Sequence, residues 1–279
     1  MFDETCNTCS YSNHLTSRSP ILIANKIYQL LPFDQSHPLA LNRIMPVIGL
    51  AQSLNWLDER QYKESSIASV DMLARYHNIH YVEAVLSAEN NRCIPGILGK
   101  RFNLGRHGNS YFSKIFTRPA TTAGASILAG QLLADNEEGI IFSPAGGNHH
   151  AKKNQASGFC IFNDPVLGIL SMLDNGLKKV LYVDLDAHHG DGVQEAFQHD
   201  DRVFTISIHE KNRWPYTGKI SERGLGNIRN LPVPKDLNDN EMRTLISEGV
   251  IPLGEEFEPD ALVIQSGADA LLDLSLIHI

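Results

Sequence analysis

The stretch Val180-Leu181-Tyr182-Val183-Asp184-Leu185-Asp186-Ala187-His188-His189-Gly190-Asp191-Gly192 runs an apolar, β-branched segment directly into a cluster of chemistry: three acids and two imidazoles fall in the eleven residues from 182 to 192. The apolar part reads as a strand buried on both faces. If the chain stays extended beyond it, alternate side chains share a face, so Asp184, Asp186 and His188 converge. An Asp-x-His pair at a strand end is half of a carboxylate/imidazole Zn²⁺ site of the kind that leaves a position open for water. The plainer alternative is a solvated loop that happens to hold histidines.

Working outward, comparable apolar runs recur at Ile21–Ile27, Gly139–Phe142, Val203–Ile208 and Ala261–Ile264, separated by helical patterns. Strands alternating with helices predict an α/β fold, a single-domain open parallel sheet with helices on both faces. Asp164-Pro165 places a capping acid before a proline, and the apolar face Val166, Leu167, Ile169, Leu170, Met172, Leu173 ends at Gly176. Val193, Ala196 and Phe197 give the next helix a narrow buried stripe. Asn91–Tyr111 and Lys211–Asn230 read as long loops, the second centred on Trp214-Pro215-Tyr216-Thr217-Gly218.

In an open parallel sheet ligands gather at the carboxyl ends of the strands, and three such ends here carry reactive residues. They are Ser143–His150, the acid and histidine cluster, and Gln265-Ser266-Gly267-Ala268-Asp269. Asp186, His188 and Asp269 would offer a metal two carboxylates and one imidazole, an open catalytic pattern. His149 and His150 are either a surface pair or, if a tight turn follows Gly146-Gly147, a pair aimed at the metal. Asp184 and Asp191 are spare acids, and a carboxylate on one imidazole nitrogen sets the tautomer and basicity at the other. Pairing them with His149 and His150 would make one histidine a general base and the other an electrostatic partner.

The 279 residues, 42% hydrophobic and 20% charged, suit one ordinary globular domain, and a net charge of −8 argues against nucleic acid as the direct partner. No apolar run reaches the roughly 18 to 20 residues that span a bilayer, and no signal peptide is visible, which predicts a cytoplasmic protein and no membrane partner. Four cysteines, Cys6, Cys9, Cys93 and Cys160, are too few for a disulfide scaffold, and Cys6-Asn7-Thr8-Cys9 has no second pair to make a metal knuckle.

With those residues assembled, the chain resembles the zinc-dependent histone deacetylase family of the arginase/deacetylase superfamily. The resemblance rests on Gly147-Asn148-His149-His150-Ala151-Lys152-Lys153, Ala156-Ser157-Gly158-Phe159-Cys160-Ile161-Phe162-Asn163-Asp164, Asp184 to Gly192, and Gln265 to Asp269, in the family's order. His37-Pro38 with Asn42-Arg43 is similar to the bacterial acetoin-utilisation branch. The resemblance implies hydrolysis of an N-acetyl amide, of acetyl-lysine in a protein or of a small acetylated amine such as an acetylpolyamine. It implies Zn²⁺ on Asp186, His188 and Asp269, with His150 as general base and acid. His149 becomes its electrostatic partner, Asp184 and Asp191 orienting the pair. It further implies substrate contacts from Gly158, Phe159 and Trp214, and a K⁺ ion held by Asp184, Asp186, His188 and Ser207. Taken without the resemblance, Phe159 and Trp214 are also readable as core packing.

Two departures qualify this. Arg106-His107-Gly108-Asn109-Ser110, where the family carries a substrate-gripping acid, has no carboxylate. The family's oxyanion tyrosine follows the third metal ligand, whereas none of the eight tyrosines here lies beyond Tyr216 and the sequence ends ten residues after Asp269. The expectation is therefore an N-terminal tail over 1–18, a deacetylase catalytic domain over 19–270 whose C-terminal part is missing, and a non-native tail over 271–279. The competing readings are a catalytically impaired metal-binding remnant and an arginase-like ureohydrolase with two Mn²⁺. Fe²⁺ in place of zinc, and the oligomeric state, stay open.

Overall fold

A computed structural model of the chain describes residues 19–30, 43–136 and 139–270. Cys6, Cys9, His37, Pro38 and both proposed tails lie outside them. In chain order the elements are β1 (Ile21–Ala24), α1 (Ile44–Ser53), β2 (Tyr62–Glu64), α2 (Val70–Ala74), α3 (Ile79–Asn91), α4 (Gly96–Phe102), α5 (Thr117–Asn136), β3 (Ile141–Phe142), α6 (Asp164–Asp174), β4 (Val180–Asp184), α7 (Asp191–Phe197), β5 (Val203–Glu210), β6 (Ile228–Val233), α8 (Asp239–Leu245), α9 (Ile251–Phe257) and β7 (Ala261–Gln265). Among the described residues every strand pairing is parallel, in two sheets ordered β2-β1-β3 and β6-β5-β4-β7.

Strand β4 organises the larger sheet, with Asp184 level with Ser207 of β5 and Gln265 of β7. Its side chains alternate between two cores, as the strand period requires. Val180 and Tyr182 pack with Val166 and Ile169 of α6 and Val193 and Phe197 of α7. Leu181 and Val183 pack on the opposite face, with Val250 and partly buried Leu245 and Leu253 from the α8–α9 segment. Burying one such side chain contributes about 1.5 to 3 kcal/mol, so the double-sided cover pins β4. A third core joins α3 and α5 to Phe162 and Leu167, and a small fourth holds Ala24, Tyr28 and Ile48 together.

Four local readings of the sequence are corrected. The first strand stops at Ala24, and a 3₁₀ turn at Lys26–Gln29 takes over, capped by the Asn25 side chain. The loop 91–111 contains helix α4, and the loop 211–230 gives way to β6 at Ile228. The cap of α6 is Asn163, whose side chain accepts from the Val166 N–H, not Asp164. Among the described residues no helix is long and apolar enough to cross a membrane.

Candidate active site

The carboxyl ends of β3, β4 and β7 converge on one cavity. Beyond β4 the chain does not stay extended: it bends through Asp186–His188. Asp184 therefore turns away from Asp186 and His188 instead of sharing their face. Its Oδ2 accepts from Tyr182 Oη (2.7 Å) and pairs with His149 Nδ1 (2.7 Å), while Oδ1 accepts from the Asp186 N–H (3.2 Å).

The loop after β3 is aimed by α6. Buried Asp164 accepts from the N–H groups of Gly147 (3.2 Å) and Asn148 (2.8 Å), from Asn148 Nδ2 (2.7 Å) and from Ser126 Oγ (2.7 Å). Asn163 Nδ2 donates to the carbonyls of His149 (3.2 Å) and Ala151 (2.9 Å). The turn is thus tied down on both sides, and Gly147 supplies the positive φ (+99°) that starts it.

The two imidazoles that result lie with Nε2 atoms 2.9 Å apart, and each has its own carboxylate: Asp184 for His149, and Asp191 for His150 at 2.7 Å. Asp191 is held in turn by Lys152 Nζ (2.6 Å), which also reaches Glu195 (3.0 Å). The pair is electrostatically split. Burial opposes a charge on His149, but Asp184, with help from Asp186 and Asp191, overcomes it and raises the imidazole to about 9. Burial and the charge of His149 push His150 down to about 4 despite Asp191. Neighbouring imidazoles driven apart in this way hold one proton and leave one lone pair, the division that acid–base chemistry uses.

Asp186, His188 and Asp269 form a second cluster, each offering a ligand atom within 4.8 Å of the others. His188 Nδ1 stands 3.0 Å from Asp186 Oδ1 and 2.8 Å from Asp269 Oδ2. Both carboxylates raise His188 to about 9 against its burial. Two acids around one nitrogen, with Asp186 and His188 buried, form a donor set that a divalent cation fits: the ion would replace the shared proton and satisfy both carboxylates. Gln265 Nε2 braces the cluster through Asp186 Oδ2 (3.2 Å) and the Gly147 carbonyl (3.2 Å).

A cavity of about 720 Å³ reaches both clusters, and Gly158, Phe159, His107 and Trp214 are on its walls together with Tyr28, Arg43 and Arg118. Trp214 lies edge-on to His150 (4.7 Å between centroids) and to His188 (6.1 Å). Gly158 is required here: at φ +54° a Cβ would stand 2.6 Å from both the His150 and Trp214 rings. Asn109 Oδ1 accepts from the Phe159 N–H (2.9 Å), which fastens the loop without a carboxylate to this wall. Ser207 sits beside Asp184 across β4–β5, its hydroxyl 2.9 Å from His209 Nδ1.

Sequence reasoning assigns several contributors no part in the site. Lys152 sits two residues past His150 and Gln265 opens a quoted motif, so both were within sight; Tyr182 and Asp164 act through partners that only folding supplies.

A histone deacetylase domain model matches residues 37–276. The chain belongs to the histone deacetylase family. It is 35% identical over 252 residues to histone deacetylase 6 of Arabidopsis thaliana, covering 86% of this chain and 52% of that protein. It is 31% identical over 259 residues to acetoin utilization protein AcuC of Bacillus subtilis, covering 91% of this chain and 67% of that protein. The chain thus spans about half to two thirds of these relatives. A solved histone deacetylase homologue from Aquifex aeolicus superposes with a TM-score of 0.82 at 32% identity, covering 88% of this chain and 68% of the other. A homologue solved in complex with SAHA gives 0.83.

Proposed function

We propose that this chain carries a metal-dependent deacetylase site that hydrolyses an N-acetyl amide, with zinc on Asp186, His188 and Asp269. The observation that carries this reading is the pair of imidazoles, each on its own carboxylate and split in basicity, opening with a three-donor cluster onto one cavity. Relatives named as histone deacetylases support the class of reaction.

Bound there, zinc would supply a Lewis acid for the amide carbonyl and for water. His150, neutral on Nε2 and oriented through Nδ1 by Asp191, takes the proton from attacking water and returns it to the leaving amine. His149, kept cationic by Asp184, stabilises negative charge beside it. Gly158, Phe159 and Trp214 enclose a slender aliphatic stem ending in the amide. Arg106–Ser110 offers no carboxylate to grip a peptide backbone, so acetyl-lysine in protein and acetylpolyamine-like amines are both within the substrate class. Potassium, on Asp184, Asp186, His188 and Ser207, and a cytosolic location complete the reading.

The test is acetate release by the zinc-loaded chain from an acetyl-lysine peptide and from an acetylpolyamine, alongside metal content. One zinc per chain with turnover of either substrate is expected. Two metals per chain would favour the ureohydrolase reading, and no release from either substrate with zinc bound would refute the proposal.

A further inference from the structure

Two buried imidazoles take no part in that chemistry. His189 and His209 are each 3% exposed, with ring centroids 4.8 Å apart, and neither lines the cavity. Their partners determine their tautomers. Gln194 Nε2 donates to Glu222 Oε2 (2.7 Å), so Gln194 Oε1 is the acceptor facing His189 Nε2 (3.0 Å), and His189 carries its proton there. Its Nδ1 then accepts from the Thr217 hydroxyl (2.8 Å). His209 Nε2 donates to the Gly218 carbonyl (3.1 Å), which leaves Nδ1 to accept from Ser207 Oγ.

Two consecutive residues of one loop are therefore gripped, Thr217 by its side chain and Gly218 by its backbone. The loop also lies directly on the rings: a Cβ at Gly218, at φ +80°, would stand 2.5 Å from His209 Nε2 and 2.7 Å from His189 Cδ2. Three residues upstream the same loop carries Trp214. That side chain is 38% exposed, so its own packing leaves much of it in solvent and its place against His150 depends on the loop.

We propose that His189 and His209 are positioning residues that clamp the Thr217–Gly218 turn and so hold Trp214 as a wall of the cavity. They act on substrate only through Trp214. The consequence for turnover rests on the deacetylase reading; the consequence for Trp214 does not.

The chain has two tryptophans, so Trp56→Phe leaves Trp214 as the sole indole reporter. In that background Thr217→Val removes the hydroxyl that His189 holds and leaves both imidazoles in place, whereas Thr217→Ser keeps it. The expected result is a red-shifted emission and roughly two-fold or greater acrylamide quenching in Thr217→Val with an unchanged far-UV spectrum, parent values in Thr217→Ser, and a change of the same sign in His209→Gln. Adding His189→Gln to Thr217→Val should change emission and quenching less than His189→Gln does alone, because the two substitutions share the Thr217–His189 bond. With substrate, Thr217→Val should raise KM about three-fold or more while kcat stays within about two-fold, the pattern of binding lost equally in ground and transition states. Parent-like emission and quenching in Thr217→Val would overturn the clamp. Altered fluorescence in Thr217→Val, alongside a parent that releases no acetate, would uphold the clamp and sink the deacetylase reading instead.

Discussion

Among the described residues the buried imidazoles fall into two groups that differ in a single respect, the kind of partner each ring has. His149, His150 and His188 face carboxylates, from Asp184, Asp191, and Asp186 with Asp269. His189, His209 and His77 face neutral groups: Thr217 and Gln194, Ser207 and the Gly218 carbonyl, and the Lys152 carbonyl with the Asn163 N–H. Burial acts on all six, yet two of the carboxylate-facing rings are raised to about 9, whereas the neutral-partnered rings are all lowered. A carboxylate equips an imidazole to hold or pass a proton or to join a cation site. A neutral partner fixes its tautomer and makes it a rigid two-ended brace. His150 is the boundary case, with a carboxylate on one side and a charged imidazole on the other.

The sharpest way to break this division lies inside the first group. In the zinc-loaded chain, His150→Ala should cost about 10²- to 10⁴-fold in kcat, the range for a lost general base, and keep its zinc. Asp269→Ala should lose zinc, and activity with it. Metal content and steady-state rates measured together decide this; equal zinc loss in both variants would show that proton transfer and metal binding are not separate duties of the two clusters.

The second group is tested by acid. His77 is lowered to about 4 by burial, against an ordinary value near 6.5, and its two ring nitrogens are fully used by backbone partners. Between those values the unfolded chain takes up a proton that the folded chain refuses, so stability rises with pH in the window and is lost as pH falls from about 6.5 to about 4. The loss attributable to His77 approaches about 3 kcal/mol. Urea unfolding at pH 7 and pH 4 should show a shallower acid loss in His77→Gln than in the parent, whatever the variant's stability at pH 7. Equal acid losses would mean that His77 is not held neutral by its site.

How much of this was legible beforehand follows from where each partner comes from. Strands β4 and β5 announce themselves as short β-branched runs because they are covered on both sides, and β7 reads the same way although Leu262 and Ile264 leave one face of this edge strand exposed; the motifs at their ends follow at once. Strand β6 does not, since Arg229, Asn230 and Pro232 interrupt its apolar character at the edge of the sheet. Strand β2 is three residues at the edge of the other sheet. Among the site residues, Asp186 and His188 could be grouped by proximity in sequence, but the bend that separates them from Asp184 could not, because strand periodicity carries no signal for where a strand stops. The role of His189 is not legible in the sequence for a related reason: its partners Thr217 and Gln194 are ordinary polar residues, without meaning until folding brings them to its two nitrogens.

The finest distinction within the first group concerns Lys152, which touches neither imidazole. Its ammonium lies 2.6 Å from Asp191, both side chains being largely buried, and helps to hold that carboxyl below its usual range against the cost of burial. It therefore screens the negative charge that Asp191 presents to His150. Removing it in Lys152→Met leaves Asp191 less neutralised, which favours the imidazolium and raises His150 from about 4. Because His150 must be unprotonated to act as base, the acid limb of kcat/KM should move to higher pH, by about one unit or less, with less than about ten-fold loss on the plateau. An acid limb that stays in place, or moves to lower pH, would mean that Asp191 orients His150 without tuning it, and the carboxylate's effect on that ring would be one of geometry alone.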